Sequence, residues 1–290
     1  MPPIFLVAAA ALLWSTGGVL IKATSLSPWE LSFARSLLAA ITVALLTRRE
    51  GFGLNRVTGV AAVLYAALLI LFVSATKWTT AANAIFLQYT APVYVLLLEP
   101  WLFKERFRPR DAVVIGVCVA GMALFFVGRL RPQDVAGNLA ALASGLCFAL
   151  FTLSLRHPDA AKVNRASAVI YGNLLLAVVC VPAFWARGTG VSAGPPLTLH
   201  DAGIVTFLGT VQIGVAYTLF TRGIARGVRA LDAGIVGYVE PVLNPIWVFL
   251  FLGERPGVWA LAGGMIIVGA VGMHTAVAAT NRKPSAAQNG

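Results

Sequence analysis

Residues 82–106, ANAIFLQYTAPVYVLLLEPWLFKER, return later in the chain as residues 231–255, LDAGIVGYVEPVLNPIWVFLFLGER. At a fixed offset of 149 (231 minus 82), Ala84, Tyr89, Pro92, Val93, Glu105 and Arg106 fall on Ala233, Tyr238, Pro241, Val242, Glu254 and Arg255. The correspondence marks a duplicated unit. Each copy is an apolar run of helix length, carries a proline near its middle and leaves through a polar Glu-Arg pair.

The rest of the chain has the composition such a unit requires. Of 290 residues, 59% are hydrophobic and only 11% are charged, against about a quarter charged in soluble domains, and the mean hydropathy is +0.83. This is the make-up of an integral membrane protein. A hydrocarbon core roughly 30 Å thick takes about 20 apolar residues per helical span, so the length accommodates around ten spans with short connectors. The formal charge of +11 does not point to nucleic acid, because the basic residues lie in the connectors. Cys118, Cys147 and Cys180 sit in apolar runs without CxxC spacing, which fits small buried hydrophobes better than a disulfide framework or a metal site. The opening MPPIFLVAAAALLW lacks the basic n-region of a secretory signal and is expected to be a retained first span.

Long apolar runs separated by polar, Gly- and Pro-marked gaps predict ten helices: 4–21, 29–47, 57–75, 79–103, 111–128, 136–155, 166–186, 202–221, 229–252 and 257–276. Their orientation follows from the Lys and Arg of the loops. One set of loops holds Arg48, Arg49, Arg56, Lys104, Arg106, Arg108, Arg110, Arg156, Lys162, Arg165, Arg222, Arg226, Arg229, Arg282 and Lys283; the other holds Lys22, Lys77, Arg129, Arg131, Arg187 and Arg255. Fifteen against six places both termini in the cytoplasm. With five spans per repeat the second half enters the membrane the opposite way up. The expected fold is therefore all-α, with ten transmembrane helices in two inverted five-helix repeats, residues 1–130 and 131–280, around a central cavity, and a disordered cytoplasmic tail at 281–290. Inverted repeats with interrupted helices meeting near the midplane are the build of secondary transporters.

Within this frame the candidate chemistry is sparse. Pro92 and Pro241 each remove a helical N–H and crowd the carbonyl four residues earlier, that of Gln88 or Gly237; both are candidate hinges facing the bundle interior, where a freed carbonyl finds a partner. Glu240 lies 14 residues before Glu254, about 20 Å along a helix. A carboxylate at that depth is expensive and points to function, either meeting a substrate amine or carrying a coupling proton; the bland reading is a protonated carboxyl bonded to a neighbouring helix. Trp14, Tyr65, Trp78, Asn83, Gln88 and Tyr89 in the first half, with Tyr171, Asn173, Gln212, Tyr217, Tyr238 and Asn244 in the second, are further cavity candidates. Tyr89 and Tyr238 stand above the others because each lies three residues before its proline, one turn away on the same face. Glu99 is expected to reach toward Lys104 or Arg106 near the membrane face, and Arg35, in the first turns of its span, either attracts an anion or pairs locally. His157, His200 and His274 are scattered, and no HExxH, GxSxG or phosphate loop is present, so neither an enzyme, a metal nor a cofactor is indicated.

The exits FKER at 103–106 and LGER at 252–255, together with ALLWSTGGVLIK at 11–22 and FARSLLAA at 33–40, resemble the EamA family of the drug/metabolite transporter superfamily over nearly the whole chain. The first copy departs in carrying Lys104 where the second has Gly253. The resemblance implies a basket of two inverted five-helix repeats, a cavity lined by spans 1, 3, 4, 6, 8 and 9, and export of amino acids, aromatic ones among them, or related small metabolites across a bacterial inner membrane. The partners implied are a small-molecule substrate and the lipid bilayer, with no nucleic acid and a monomer or dimer as the unit. Two other readings stay open: an exporter of quaternary or other cationic drugs, and a membrane scaffold that transports nothing.

Overall fold

The computed structural model describes residues 2–104, 108–124, 134–188, 196–252 and 258–280. Among them there is no strand. The helices are α1 (Pro3–Trp14), α2 (Gly17–Ala23), α3 (Pro28–Thr47), α4 (Arg56–Trp78), α5 (Ala81–Gln88), α6 (Ala91–Phe103), α7 (Pro109–Leu124), α8 (Val135–Arg156), α9 (Ala166–Gly188), α10 (Leu199–Phe207), α11 (Ala216–Ala225), α12 (Ala230–Gly237), α13 (Val239–Leu252) and α14 (Val258–Thr280), with a π-helical segment, Leu208–Val215, joining α10 to α11.

Their starts are written in local chemistry. Ser27 and Glu30 form a reciprocal capping box at α3, and Thr198 and Asp201 do the same at α10, satisfying N–H groups that a helix start leaves orphaned. Asn55 caps α4 and Thr80 caps α5 through the N–H three residues on. Between α1 and α2 the hydroxyls of Ser15 and Thr16 turn back onto the carbonyls of Leu12 and Leu13, a local bond that competes with the helical ladder.

Seven helical stretches among the described residues are long and apolar enough to cross a membrane: Pro3–Ala23, Pro28–Glu50, Arg56–Trp78, Asn83–Phe103, Val135–Arg156, Ala166–Ala186 and Leu199–Ala225. They coincide with seven of the ten expected spans. The other three expected spans fall on α7, on α12 with α13, and on α14, whose apolar centre is Leu261–Val277. The outer surface is apolar, with Leu45, Leu97, Trp101, Val113, Val178 and Met265 all exposed. That extent of apolar surface is unstable in water and suited to lipid. The protein is thus a multi-pass membrane protein.

Inside, α4 packs against α8 and α9, α3 against α9 and the π segment, α1 against α11, α12 and α13, α8 against α5 and α6, and α7 against α14. Glycine sets the closest approaches. A Cβ on Gly145 of α8 would stand 2.6 Å from the Gln88 carbonyl oxygen, and one on Gly172 of α9 the same distance from that of Ala62.

Candidate functional site

Both proline-bearing stretches are broken, and the breaks are helix junctions rather than kinks at the prolines. In the first, α5 ends at Gln88 and α6 starts at Ala91, so Pro92 is the second residue of α6. In the second, α12 ends at Gly237 and α13 starts at Val239, with Pro241 third. A proline in a first turn removes an N–H that has no helical partner in any case. Each junction therefore costs little and leaves a tyrosine, Tyr89 or Tyr238, at the break. The two breaks face each other: the tyrosine rings lie 5.6 Å apart, tilted by 40°. Gly237 backs onto the Tyr89 ring and Gly234 onto Pro92.

The central polar contact crosses this pair. Tyr89 Oη donates to Glu240 Oε2 at 2.7 Å, and both residues are buried. Beside them Trp14, Arg35, Leu68, Leu69, Phe72, Gln88, Phe148, Gln212, Ile213 and Tyr217 complete the lining of a cavity of about 30 Å³. A water needs about 10–15 Å³ on this measure, so the site has room for water. Trp14, Tyr217, Phe148 and Phe220 form one aromatic cluster, with Trp14 at 4.7 Å from Tyr217 and 5.8 Å from Phe148 by ring centroids. Gln88 Nε2 donates to Ser144 Oγ, which in turn donates to the Leu68 carbonyl, locking α5 to α8 and α4.

Of the residues singled out from the sequence, Glu240, Tyr89, Gln88, Trp14 and Tyr217 come together at this cavity. Tyr238 stacks behind Tyr89, and Tyr65 stands edge-on to Tyr217 at 4.8 Å, held by Asn173 Nδ2 at 3.2 Å. Two others are placed elsewhere. Asn83 donates to Thr79 Oγ1 at the start of its stretch, and Trp78 ends α4 half exposed; both sit at the ends of their spans and not at the depth of Glu240. The side chain of Asn244 lies outside the described residues, as do Glu105, Arg106, Glu254 and Arg255. Glu99 pairs with Arg156 and Arg229. Arg35 is deeper than the sequence suggested. It is the eighth residue of α3, about 10 Å below the helix start, and it lines the cavity with 1% of its surface exposed. Gln212 arrives on the π-helical segment, a distortion that recurs at functional sites. Leu68, Leu69, Phe72, Phe148 and Ile213 carried no sequence signal, being apolar residues in apolar runs.

A multi-pass helical protein whose only charged groups, among the described residues, at a central, aromatic-walled cavity are one carboxylate and one guanidinium has the build of a small-molecule carrier. The chain belongs to the EamA-like transporter family, whose model matches residues 1–127 and 135–275. It is 27% identical over 279 residues to the pseudopaline exporter CntI of Pseudomonas aeruginosa, covering 91% of this chain and 93% of that protein. It is 25% identical over 210 residues to the aromatic amino acid exporter YddG of Ancylobacter novellus, covering 69% of each chain. It is 29% identical over 194 residues to the threonine/homoserine exporter RhtA of Escherichia coli, covering 65% of this chain and 61% of that one. A solved crystal structure, 20% identical, superposes with a TM-score of 0.79 over 97% of this chain and 98% of its own, and so shares the fold.

Proposed function

We propose that the protein is a secondary transporter exporting amino acids or similar amino-bearing metabolites across a bacterial inner membrane by alternating access. The observation that carries this reading is the Tyr89–Glu240 bond. It places one buried carboxylate at a cavity formed by both halves, at the junctions of the two duplicated stretches. Glu240 meets the substrate amine, and Tyr89, Tyr217 and Trp14 contact its side chain, aromatic faces being suited to apolar groups and to cations. Two of the named relatives export amino acids, which supports the substrate class.

The ten-span inverted repeat is part of this reading. Its support is an exchange of neighbours. Pairing helices in chain order between halves sets α1–α2 with α8, α3 with α9, α4 with α10–α11, α5–α6 with α12–α13, and α7 with α14. Under that exchange α4 on α8 becomes α11 on α1, α4 on α9 becomes the π segment on α3, and α5 and α6 on α8 become α12 and α13 on α1; α3 on α9 and α7 on α14 map onto themselves. Each of these partner pairs is present. The loop charges then set both termini in the cytoplasm, with α6 and α12 flanking the cytoplasmic side of the cavity and α5 and α13 the external side.

The test is Glu240→Gln in proteoliposomes. The substitution keeps shape and removes the charge, and we expect amino-acid flux to fall by at least about tenfold, as loss of one charged hydrogen bond implies. An unchanged rate with an unchanged pH dependence would contradict the role given to Glu240.

A further inference from the structure

We infer that Arg35 is the carboxylate-binding residue of the same cavity, so that the substrate is a zwitterion held by its carboxylate on the first half and its amine on the second. This rests on the reading of Glu240 as the amine site.

Arg35 is a fully buried guanidinium about 10 Å into a membrane-spanning helix. Charges at such depth are rare and are normally paired. Yet no carboxylate stands within 4.0 Å of it among the described residues; its recorded hydrogen bond is from Nη2 to the Leu69 carbonyl at 3.3 Å. A guanidinium carries five N–H donors, so this contact uses one, and Nε is buried without a partner. Glu240 lines the same cavity and is engaged by Tyr89 instead. The two opposite charges of the site therefore face one space without neutralising each other.

The remaining unpartnered atoms of the lining sort in the same way. Among the described residues Trp14 Nε1 is a second buried donor without a partner, and Gln212 Oε1 a buried acceptor without one. Donors on Arg35 and Trp14 suit a carboxylate; acceptors on Gln212 and Glu240 suit an ammonium. A cation with no carboxylate would leave the guanidinium uncompensated and repelled. Arg-carboxylate pairs are frequently bidentate, which fixes orientation as well as affinity. A zwitterion also ties α3 of the first half to α13 of the second, which makes occupancy a cross-link between the halves.

Amino acids and the amines left by removing their carboxylates form the test: phenylalanine with phenethylamine, leucine with isoamylamine, lysine with cadaverine, each measured by counterflow in proteoliposomes. We expect the wild type to prefer at least one amino acid over its amine by about tenfold or more, the size of one charge-assisted bond. Arg35→Gln, taken as monodisperse protein, abolishes that preference, the amino acid losing its carboxylate partner while the amine is relieved of the repelling guanidinium, and Arg35→Lys keeps part of the preference. Wild-type flux of the amines equal to or above that of the amino acids overturns the role of Arg35 and leaves the amine site standing, and it reads out even if Arg35→Gln fails to fold. An Arg35→Gln protein that keeps the full preference overturns it too. Flux of neither class overturns the amine site at Glu240 and this inference with it.

Discussion

At the scale of the residue, the two junction tyrosines look equivalent in the sequence and are not equivalent in the structure. Tyr89 spends its hydroxyl on Glu240, whereas Tyr238 Oη is buried with no partner among the described residues. Tyr89→Phe therefore removes a bond to a carboxylate, worth about 1.5–3 kcal/mol, and we expect apparent substrate affinity to drop by about tenfold or more in counterflow titrations. Tyr238→Phe removes no bond and leaves affinity within about twofold. The asymmetry was legible in one place: position 91 is Ala where its counterpart 240 is Glu. Much else at this scale was not. Asn83 and Trp78 lie at the ends of their spans, away from the cavity, and Arg35 and Gln212 were visible as polar residues in apolar runs without anything to show that they share a cavity with Glu240. Facing is a tertiary property, and in spans that are apolar on both sides the helical period carries little of it.

At the scale of the element, the duplicated prolines proved to mark helix junctions three residues earlier, with a packed surface around them. The sequence located the interruption because a proline recurs at the same offset in both stretches and is favoured in a first turn over a helix interior. It could not say which partner covers the break. Gly145 covers the first, and a Cβ there would lie 2.6 Å from a backbone oxygen that has no rotamer with which to yield. Gly145→Ala is accordingly expected to cost about 1–3 kcal/mol, the usual range for overpacking, seen as a lower melting temperature in detergent; Gly116→Ala, where no atom lies within 4 Å of the new carbon, is the control and should leave it unchanged. In the proposed mechanism the junctions also define the moving parts. α5 touches α13 and α6 touches α12, so the same two stretches close the cavity from both sides. Disulfides engineered across either contact should stop net flux and release it on reduction. Intact flux with one contact locked would exclude alternating access through this site.

At the scale of the whole molecule, the ends of the bundle are held by polar contacts between different elements. At the side with the basic loops, Arg229 of the α12 start reaches Glu99 of α6 and Asp111 of α7 at 3.3 and 3.4 Å, and His274 of α14 stands 3.0 Å from Asp232. At the opposite side Asp201 accepts from Thr24 and Ser25, and Lys77 from α4 donates to the Thr24 carbonyl. Membrane class and seven of the apolar runs were legible because they rest on composition alone; the pairing of Glu99 with Arg156 and Arg229 joins positions 57 and 130 residues apart and could not be. The topology has its own check. With Cys118 and Cys180 buried, a cysteine at exposed Lys162 should react with an impermeant maleimide only from the cytoplasmic side, and one at exposed Leu199 only from outside. The central claim, that a substrate bearing an amine is carried through a site built on Glu240, is tested most directly by uptake of a radiolabelled amino-acid panel into liposomes containing this protein alone, wild type beside Glu240→Gln. The account predicts saturable uptake of at least one amino acid by the wild type and loss of it in the variant. No saturable flux of any of them, or equal flux through both proteins, would contradict it.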